Sequence, residues 1–193
     1  MKDLQSKWDG IYTDRSQAPH AAEVLSNHRH LLPAQGKALD LACGMGGNAL
    51  LLAEQGLTVD AWDISPVALS RLQTQTDQRR LQIAARQVFI NPGHLHLNHY
   101  DVIVISRFLD RSLCNAIMAA LKTDGLLFYQ TFTRDKLDPQ GPSNPDYLLD
   151  CNELLQLFSP LALVFYQEYA RIGDLRYGNR NEACYIGQNS NRY

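Results

Sequence analysis

The first chemical signal in this chain is a glycine turn with a carboxylate placed behind it. Gly44-Met-Gly46-Gly-Asn-Ala49 fits the pattern GxGxxA, and Asp63 follows Gly44 by 19 positions. Glycines at such a turn let backbone N–H groups approach a ligand with no Cβ in the way, and a helix starting there offers further unpaired N–H groups. A carboxylate about 20 residues on can grip two ribose hydroxyls together. Any adenosine-bearing cofactor could use this arrangement. Asp40, just ahead of the turn, shifts the balance. A negative charge there does nothing for a pyrophosphate, whereas a cationic sulfonium amino acid tolerates it.

Other reactive side chains carry weaker signals. His94-Leu-His96-Leu-Asn-His99 alternates its imidazoles but brings no Asp or Cys ligand of its own, so it reads as a surface loop, with no metal expected. Cys43 lies inside the turn without a histidine-centred arrangement around it and reads as a small side chain packed beneath a ligand. Arg171, Arg176 and Arg180 read as solvated charges. Arg107 and Arg134 each directly follow a strand pattern, where a guanidinium could hold an anionic group.

These residues need strands and helices to bring them together, and the hydrophobic pattern supplies them. Residues 1–36 are polar and broken by Pro19 and Pro33, with helical spacing over His20 to Leu32, which suggests a helical lead-in or cap. Lys37 to Ala42 is a short apolar run stopping at the glycines, and Asn48 to Gln55 is a run of helix formers with Asn48 as a possible cap and Gly56 as the stop. Leu57 to Trp62 forms a second strand ending at Asp63, and Ser65-Pro66 supplies an N-cap and first-turn proline for a helix to about Gln78. Gln82 to Ile90, Tyr100 to Ile105 and Leu126 to Phe132 read as three more strands, with a helix over Leu113 to Leu121. Five such periods predict a single-domain α/β fold with a doubly wound sheet over residues 37–193. Past Thr133, a loop with three of the eight prolines leads to a predicted helix over Tyr147 to Phe158. The segment 161–187 reads as a terminal antiparallel hairpin.

Composition narrows the functional classes. The chain has 193 residues, 45% of them hydrophobic and 20% charged, with a formal charge of −2, which leaves no global basic field for nucleic acid or anionic lipid. The four cysteines form no CxxC pair and fit reduced thiols. The start, Met-Lys-Asp-Leu-Gln-Ser-Lys-Trp-Asp, lacks a signal-peptide core, and no apolar run is long enough to span a bilayer. These features lead to the expectation of a cytoplasmic protein with no membrane and no nucleic-acid partner.

The chain also resembles a known family, the class I S-adenosylmethionine-dependent methyltransferases, in particular their small tellurite-resistance and thiopurine-type branch. The resemblance rests on Ala38-Leu-Asp-Leu-Ala-Cys-Gly-Met-Gly-Gly-Asn48, Val59-Asp-Ala-Trp-Asp-Ile-Ser-Pro66, Ser106-Arg-Phe-Leu109, Asp124 to Thr133 and the stretch from Gly141 to Leu155. It implies a seven-stranded sheet in the order 3-2-1-4-5-7-6, with strand 7 antiparallel and helices on both faces, binding S-adenosylmethionine. By the same resemblance, Asp40 is the strand-one acid, Gly44 and Gly46 lie under the methionine part, Asp63 takes the ribose diol, and Ile64 lies against the adenine. Gln87 and Val88 fall where the adenine amino group is met, and Ser106 and Arg107 where backbone carbonyls reach the methionine end. Ala42 stands where the family usually has a first glycine, a small-for-small exchange, and Gln87 where Asp is common; Asn48 closes the motif.

Methyl transfer to a small soluble acceptor is the reading that follows. Trp8, Tyr12, Phe108 and Tyr129 could wall such a site, since a sulfonium gains from aromatic faces, although core packing explains the same residues. Gln130 stands where relatives often carry Glu and cannot take a proton, which leaves Asp135, His28 and His30 as conceivable bases and suggests an acceptor already nucleophilic, a thiolate or heavier chalcogen anion. Three rivals share the glycine turn: an NAD(P)-dependent oxidoreductase, a nucleic-acid methyltransferase, and a cofactor-binding module without turnover. The second lacks both a basic appendage and an Asn-Pro-Pro-Tyr-type motif after strand four.

Overall fold

A computed structural model describes residues 2–15, 17 and 19–190. Seven strands form one sheet in the order β3-β2-β1-β4-β5-β7-β6. They are β1 (Lys37–Leu41), β2 (Thr58–Asp63), β3 (Ile83–Gln87), β4 (Tyr100–Ser106), β5 (Leu121–Phe132), β6 (Ala162–Gln167) and β7 (Glu182–Gln188). The first five pair in parallel, and β7 runs antiparallel to both β5 and β6. The strand order and the antiparallel β7 are those the resemblance implies.

β4 shows why the centre of the sheet is fixed. Its run Val102-Ile-Val-Ile105 is fully buried, with Val102 and Val104 packed into one core and Ile103 and Ile105 into the other. Side chains alternate across a strand, so a sheet covered on both faces needs an uninterrupted apolar run at its middle. The first of these cores is filled from α3 (Gly47–Glu54) and α4 (Pro66–Arg79), the second from α5 (Cys114–Ala120) and α6 (Glu153–Leu157). Ser65 caps α4 as its sequence suggests, accepting a bond from Ala68 N at 3.2 Å.

Several boundaries differ from expectation. The long helix of the lead-in is α1 (Lys2–Asp14), while the stretch from His20 to Leu32 forms only α2 (Glu23–Ser26) and a 3-10 turn over Arg29–Leu31. Because α1 buries no residue, hydrophobic spacing could not announce it. Between Tyr147 and Phe158 the helix shrinks to α6, since Leu149 N donates to Phe132 O at 2.9 Å and Arg134 N to Leu149 O at 3.0 Å, drawing that backbone alongside the end of β5. β5 starts early because residues 122–125 bulge out between the pairings Tyr100↔Leu121 and Val102↔Leu126.

Among the described residues no helix is long and apolar enough to cross a membrane, and no three His, Cys, Asp or Glu side chains gather as a metal set. His99 instead bonds the Lys37 ammonium at 2.8 Å.

Candidate functional site

The sheet reverses its direction of growth between β1 and β4, and the crevice beyond the carboxyl ends of these strands is where open α/β sheets place ligands. Register brings Asp63 beside Gln87 and Ser106 beside Gln130 along this edge.

Asp63 anchors the glycine turn. Its Oδ2 accepts from Gly44 N at 2.7 Å and its Oδ1 from Ser65 N at 2.9 Å, so one carboxylate fixes both the turn after β1 and the entry to α4. Burial raises its pKa, against the pull of these N–H donors. Each oxygen keeps a further lone pair for a ligand hydroxyl. At the end of β2 and β3, Gln87 Nε2 donates to Ile64 O at 3.2 Å and Val88 N to Asp63 O at 2.9 Å, which sets Ile64, Gln87 and Val88 side by side.

Asn48 is the second organiser, in a role different from the expected cap. The helix α3 is capped by Gly46 in the left-handed region (φ +82°), which leaves the Asn48 side chain free to point inward. Its Nδ2 donates to Asp40 Oδ1 at 3.2 Å and to Ser106 Oγ at 3.0 Å, while its Oδ1 accepts from Ala22 N at 2.8 Å. Asp40 also accepts from Ala49 N at 3.0 Å. Fully buried, Asp40 has its pKa raised to about 7, desolvation outweighing the two hydrogen bonds.

The turn itself is strained at one position. Ala42, in place of a glycine, has φ +58°, so the exchange is not neutral for the backbone. Ala42→Gly is expected to stabilise the fold by about 1 kcal/mol, read from the denaturant midpoint; an unchanged midpoint would show that the turn carries no such strain.

The helix α1 lies over this turn. The Tyr12 ring packs so closely that a Cβ on Gly44 would sit 2.7 Å from its hydroxyl, and Trp8 stacks on Tyr12 with centroids 5.8 Å apart. Ser65 Oγ donates to Asp9 Oδ1 at 2.5 Å, and Arg71 donates to the carbonyls of Thr13, at 2.9 Å, and of Arg15. Trp8 and Tyr12 therefore stand beside the turn, whereas Tyr129 does not. Buried at 1% exposure, it faces the α5 and α6 layer, touches Phe158 and donates to Phe108 O at 2.9 Å. Strand alternation is the reason, because Gln130 takes the opposite face. Cys43 is buried beneath the turn, and burial pushes its thiol up, away from nucleophilic use.

Next to the turn lies a cavity of about 280 Å³ lined by His20, Ala21, Ala22, Glu23, Ser106, Arg107 and Gln130. Of the two arginines singled out from sequence, Arg107 is here, while Arg134 pairs with Asp150 at 2.8 Å and does not line it. Nor do Asp135, His28 or His30; the imidazole on the cavity is His20. Gln130 Oε1 accepts from Val24 N at 2.9 Å and its Nε2 donates to Glu182 Oε2 at 2.5 Å, a pairing of acceptor and donor that only an amide provides. Glu182, His20 and Glu23 escaped sequence reading because none sits in a motif. Glu182 reaches the site from the terminal hairpin, 52 residues beyond Gln130.

A sheet in this order, with a glycine turn after β1 and an acid closing β2, has the Rossmann-like architecture of class I methyltransferases. Its crystallographic likeness includes TehB from Haemophilus influenzae, with TM-score 0.71 and 23% identity over 94% of this chain and 66% of that one. The family described as tellurite resistance protein TehB matches residues 5–132, and the chain belongs to that family. Among curated relatives, a ubiquinone biosynthesis O-methyltransferase of Actinobacillus pleuropneumoniae is 31% identical over 108 residues, covering 51% of this chain and 46% of its own. A protein of Haemophilus influenzae named as a probable S-adenosyl-L-methionine-dependent methyltransferase TehB is 33% identical over 89 residues, covering 45% of this chain and 31% of its own. The chain thus spans less than half the length of these curated relatives.

Proposed function

We propose that this chain transfers a methyl group from S-adenosylmethionine to a small soluble acceptor. The observation that carries the reading is the adjacency of two sites on one edge: the Gly44–Asp63 turn, and a cavity reached through Ser106, which Asn48 ties to Asp40. The residues fit the cofactor's chemistry. Asp63 offers lone pairs to ribose hydroxyls, the Gly44–Gly46 turn, packed against Tyr12 and Leu72, lies beside the methionine part, Asp40 supplies countercharge, and Ile64, Gln87 and Val88 flank the adenine side. The carbonyls of Ser106 and Arg107 lie toward the methionine end. Bound S-adenosylmethionine supplies an activated methyl that the acceptor's lone pair takes in line, the electron pair of the broken C–S bond staying with S-adenosylhomocysteine. The protein contributes mainly by holding the acceptor in orientation.

A panel of S-adenosylhomocysteine, NADH and NADPH tests this directly by thermal shift. S-adenosylhomocysteine at 100 times its dissociation constant is expected to add about 2.7 kcal/mol, with no response to either nicotinamide cofactor. Stabilisation by NADPH alone would replace this reading with an oxidoreductase.

The acceptor is read as a thiolate or heavier chalcogen anion. What supports this is the chemistry of the cavity: Gln130 is an amide, and the Glu182 carboxylate is already shared among Arg107, Gln130 and Asn179. An acceptor that arrives deprotonated needs no base. The rate's rising limb is then expected to follow the acceptor's own pKa when two thiols are compared. A limb fixed at one pH for both, and removed by His20→Ala, would instead make His20 a general base.

A further inference from the structure

Glu182, the first residue of β7, keeps only 2% of its side chain exposed, and both its oxygens are engaged. Oε1 accepts from Arg107 Nε at 2.6 Å; Oε2 accepts from Gln130 Nε2 at 2.5 Å and from Asn179 Nδ2 at 2.9 Å. Burying a carboxylate costs several kcal/mol unless donors surround it, and three donors do so here. Arg107 is held at a second point as well. Its backbone is in the left-handed region at φ +54°, and its N–H donates to Gln130 O at 2.8 Å. Such a conformation in a non-glycine residue persists where the surroundings enforce it, and it clusters at functional positions.

The guanidinium is nevertheless half spent. Arg111, a structural arginine near the end of the same sheet, uses every nitrogen: Nε and Nη2 on Glu153 at 2.6 and 2.9 Å, Nη1 on Asp146 O at 2.6 Å, and Nη2 again on Leu148 O at 3.0 Å. Arg107 leaves 61% of its side chain exposed, and among the described residues neither Nη1 nor Nη2 meets an acceptor. Both belong to a residue lining the cavity.

We propose that Glu182 is a positioning residue that fixes Arg107 so that Nη1 and Nη2 form a two-pronged donor facing the cavity, and that the acceptor carries a carboxylate beside the atom that is methylated. This rests on reading the cavity as the acceptor site. A guanidinium fork matches the two oxygens of a carboxylate, and fixing it in advance removes the entropy of ordering a long side chain. Charge points the same way. Glu182 cancels the charge of Arg107, and Glu23 adds a negative group at the rim, so selection comes from directed bonds rather than from a net positive field. The carboxylate of such an acceptor satisfies both prongs, whatever charge its reacting atom carries.

The test uses 3-mercaptopropionate and 3-mercaptopropanol, thiols of equal chain length with and without a carboxylate, on the protein saturated with S-adenosylhomocysteine. The Arg107 Nε–H resonance, assigned by its loss in Arg107→Lys, is expected to shift on titration with the first thiol and not with the second. In Glu182→Gln the response should need about tenfold more 3-mercaptopropionate. In turnover with S-adenosylmethionine, the wild type should prefer the carboxylate thiol by about tenfold or more in kcat/KM, carried by KM, and Glu182→Gln should lose that preference. A resonance indifferent to both thiols in the wild type overturns the proposal without recourse to any variant, as does an undiminished preference in Glu182→Gln. If the wild type failed to bind S-adenosylhomocysteine, the methyltransferase reading would fall first, and the proposal with it.

Discussion

Asp63→Ala is expected to weaken S-adenosylhomocysteine binding by about 10- to 150-fold, the equivalent of roughly 1.5–3 kcal/mol for hydrogen bonds to a charged group. The carboxylate sits 5% exposed at the end of β2, aimed at the turn by Gly44 N and Ser65 N. Removing it takes away the acceptor for both N–H groups, so the alanine variant should also be less stable. Asp63→Asn separates the two effects, because an amide oxygen still accepts one of those bonds while the ionic grip is gone. Calorimetry on both variants decides the matter. A dissociation constant unchanged in a folded variant would reduce Asp63 to a turn-holding residue.

The second large effect is on stability against pH in the cofactor-free protein. Burial lifts the Asp40 pKa to about 7, so its neutral form is the one the fold favours. A group raised in this way gives its full contribution below the unfolded carboxylate pKa of about 4, and the contribution is lost as pH climbs through about 7. At 1.36 kcal/mol per unit, the loss is up to about 4 kcal/mol. Asp63, also raised by burial, adds a slope of the same sign. His99 opposes it: burial and the Lys37 charge lower its pKa, so its contribution grows as pH rises toward the ordinary histidine range. Asp101 and Glu153 are lowered, and their contributions are complete above about pH 5. The readout is therefore the difference between the wild type and Asp40→Asn in urea midpoints from pH 5 to 8. The variant should show a flatter profile; parallel profiles would mean that Asp40 is ionised in the fold throughout.

What local pattern governs could be read without coordinates. The β-branched run of β4, the Ser65-Pro66 start of α4 and the spacing of Gly44 and Asp63 are each set by neighbours close in sequence. The misread parts are those settled by distant partners. Leu148 and Leu149 look like helix residues because they are apolar, yet they are buried at 7% and 1% in a segment that runs beside Phe132 and Arg134. Asn48 looks like a cap because of its type, while its side chain answers to Asp40, Ser106 and Ala22. Glu182 carries no local signal at all, since its meaning comes from three donors on three segments. Ala42 looked like a mild exchange until its φ showed the backbone that a glycine would have relaxed.

The wall of the cavity is held in an unusual way. Asn48 and Gln130 grip the segment after Pro19 by its amides, at Ala22 N and Val24 N, and Gly47 lies so close beneath that an added Cβ would come within 2.2 Å of His20 O. None of these contacts involves the side chains of His20, Ala21, Ala22 or Glu23. His20, exposed and outside these contacts, can therefore be exchanged without loosening the wall, whereas Ala21 and Ala22 pack on the core beneath and Glu23 accepts from Asn179 Nδ2 at 3.3 Å. On the proposed reading of this cavity, its acceptor range can shift over evolutionary time through a change at His20, while the fold and the glycine turn stay as they are.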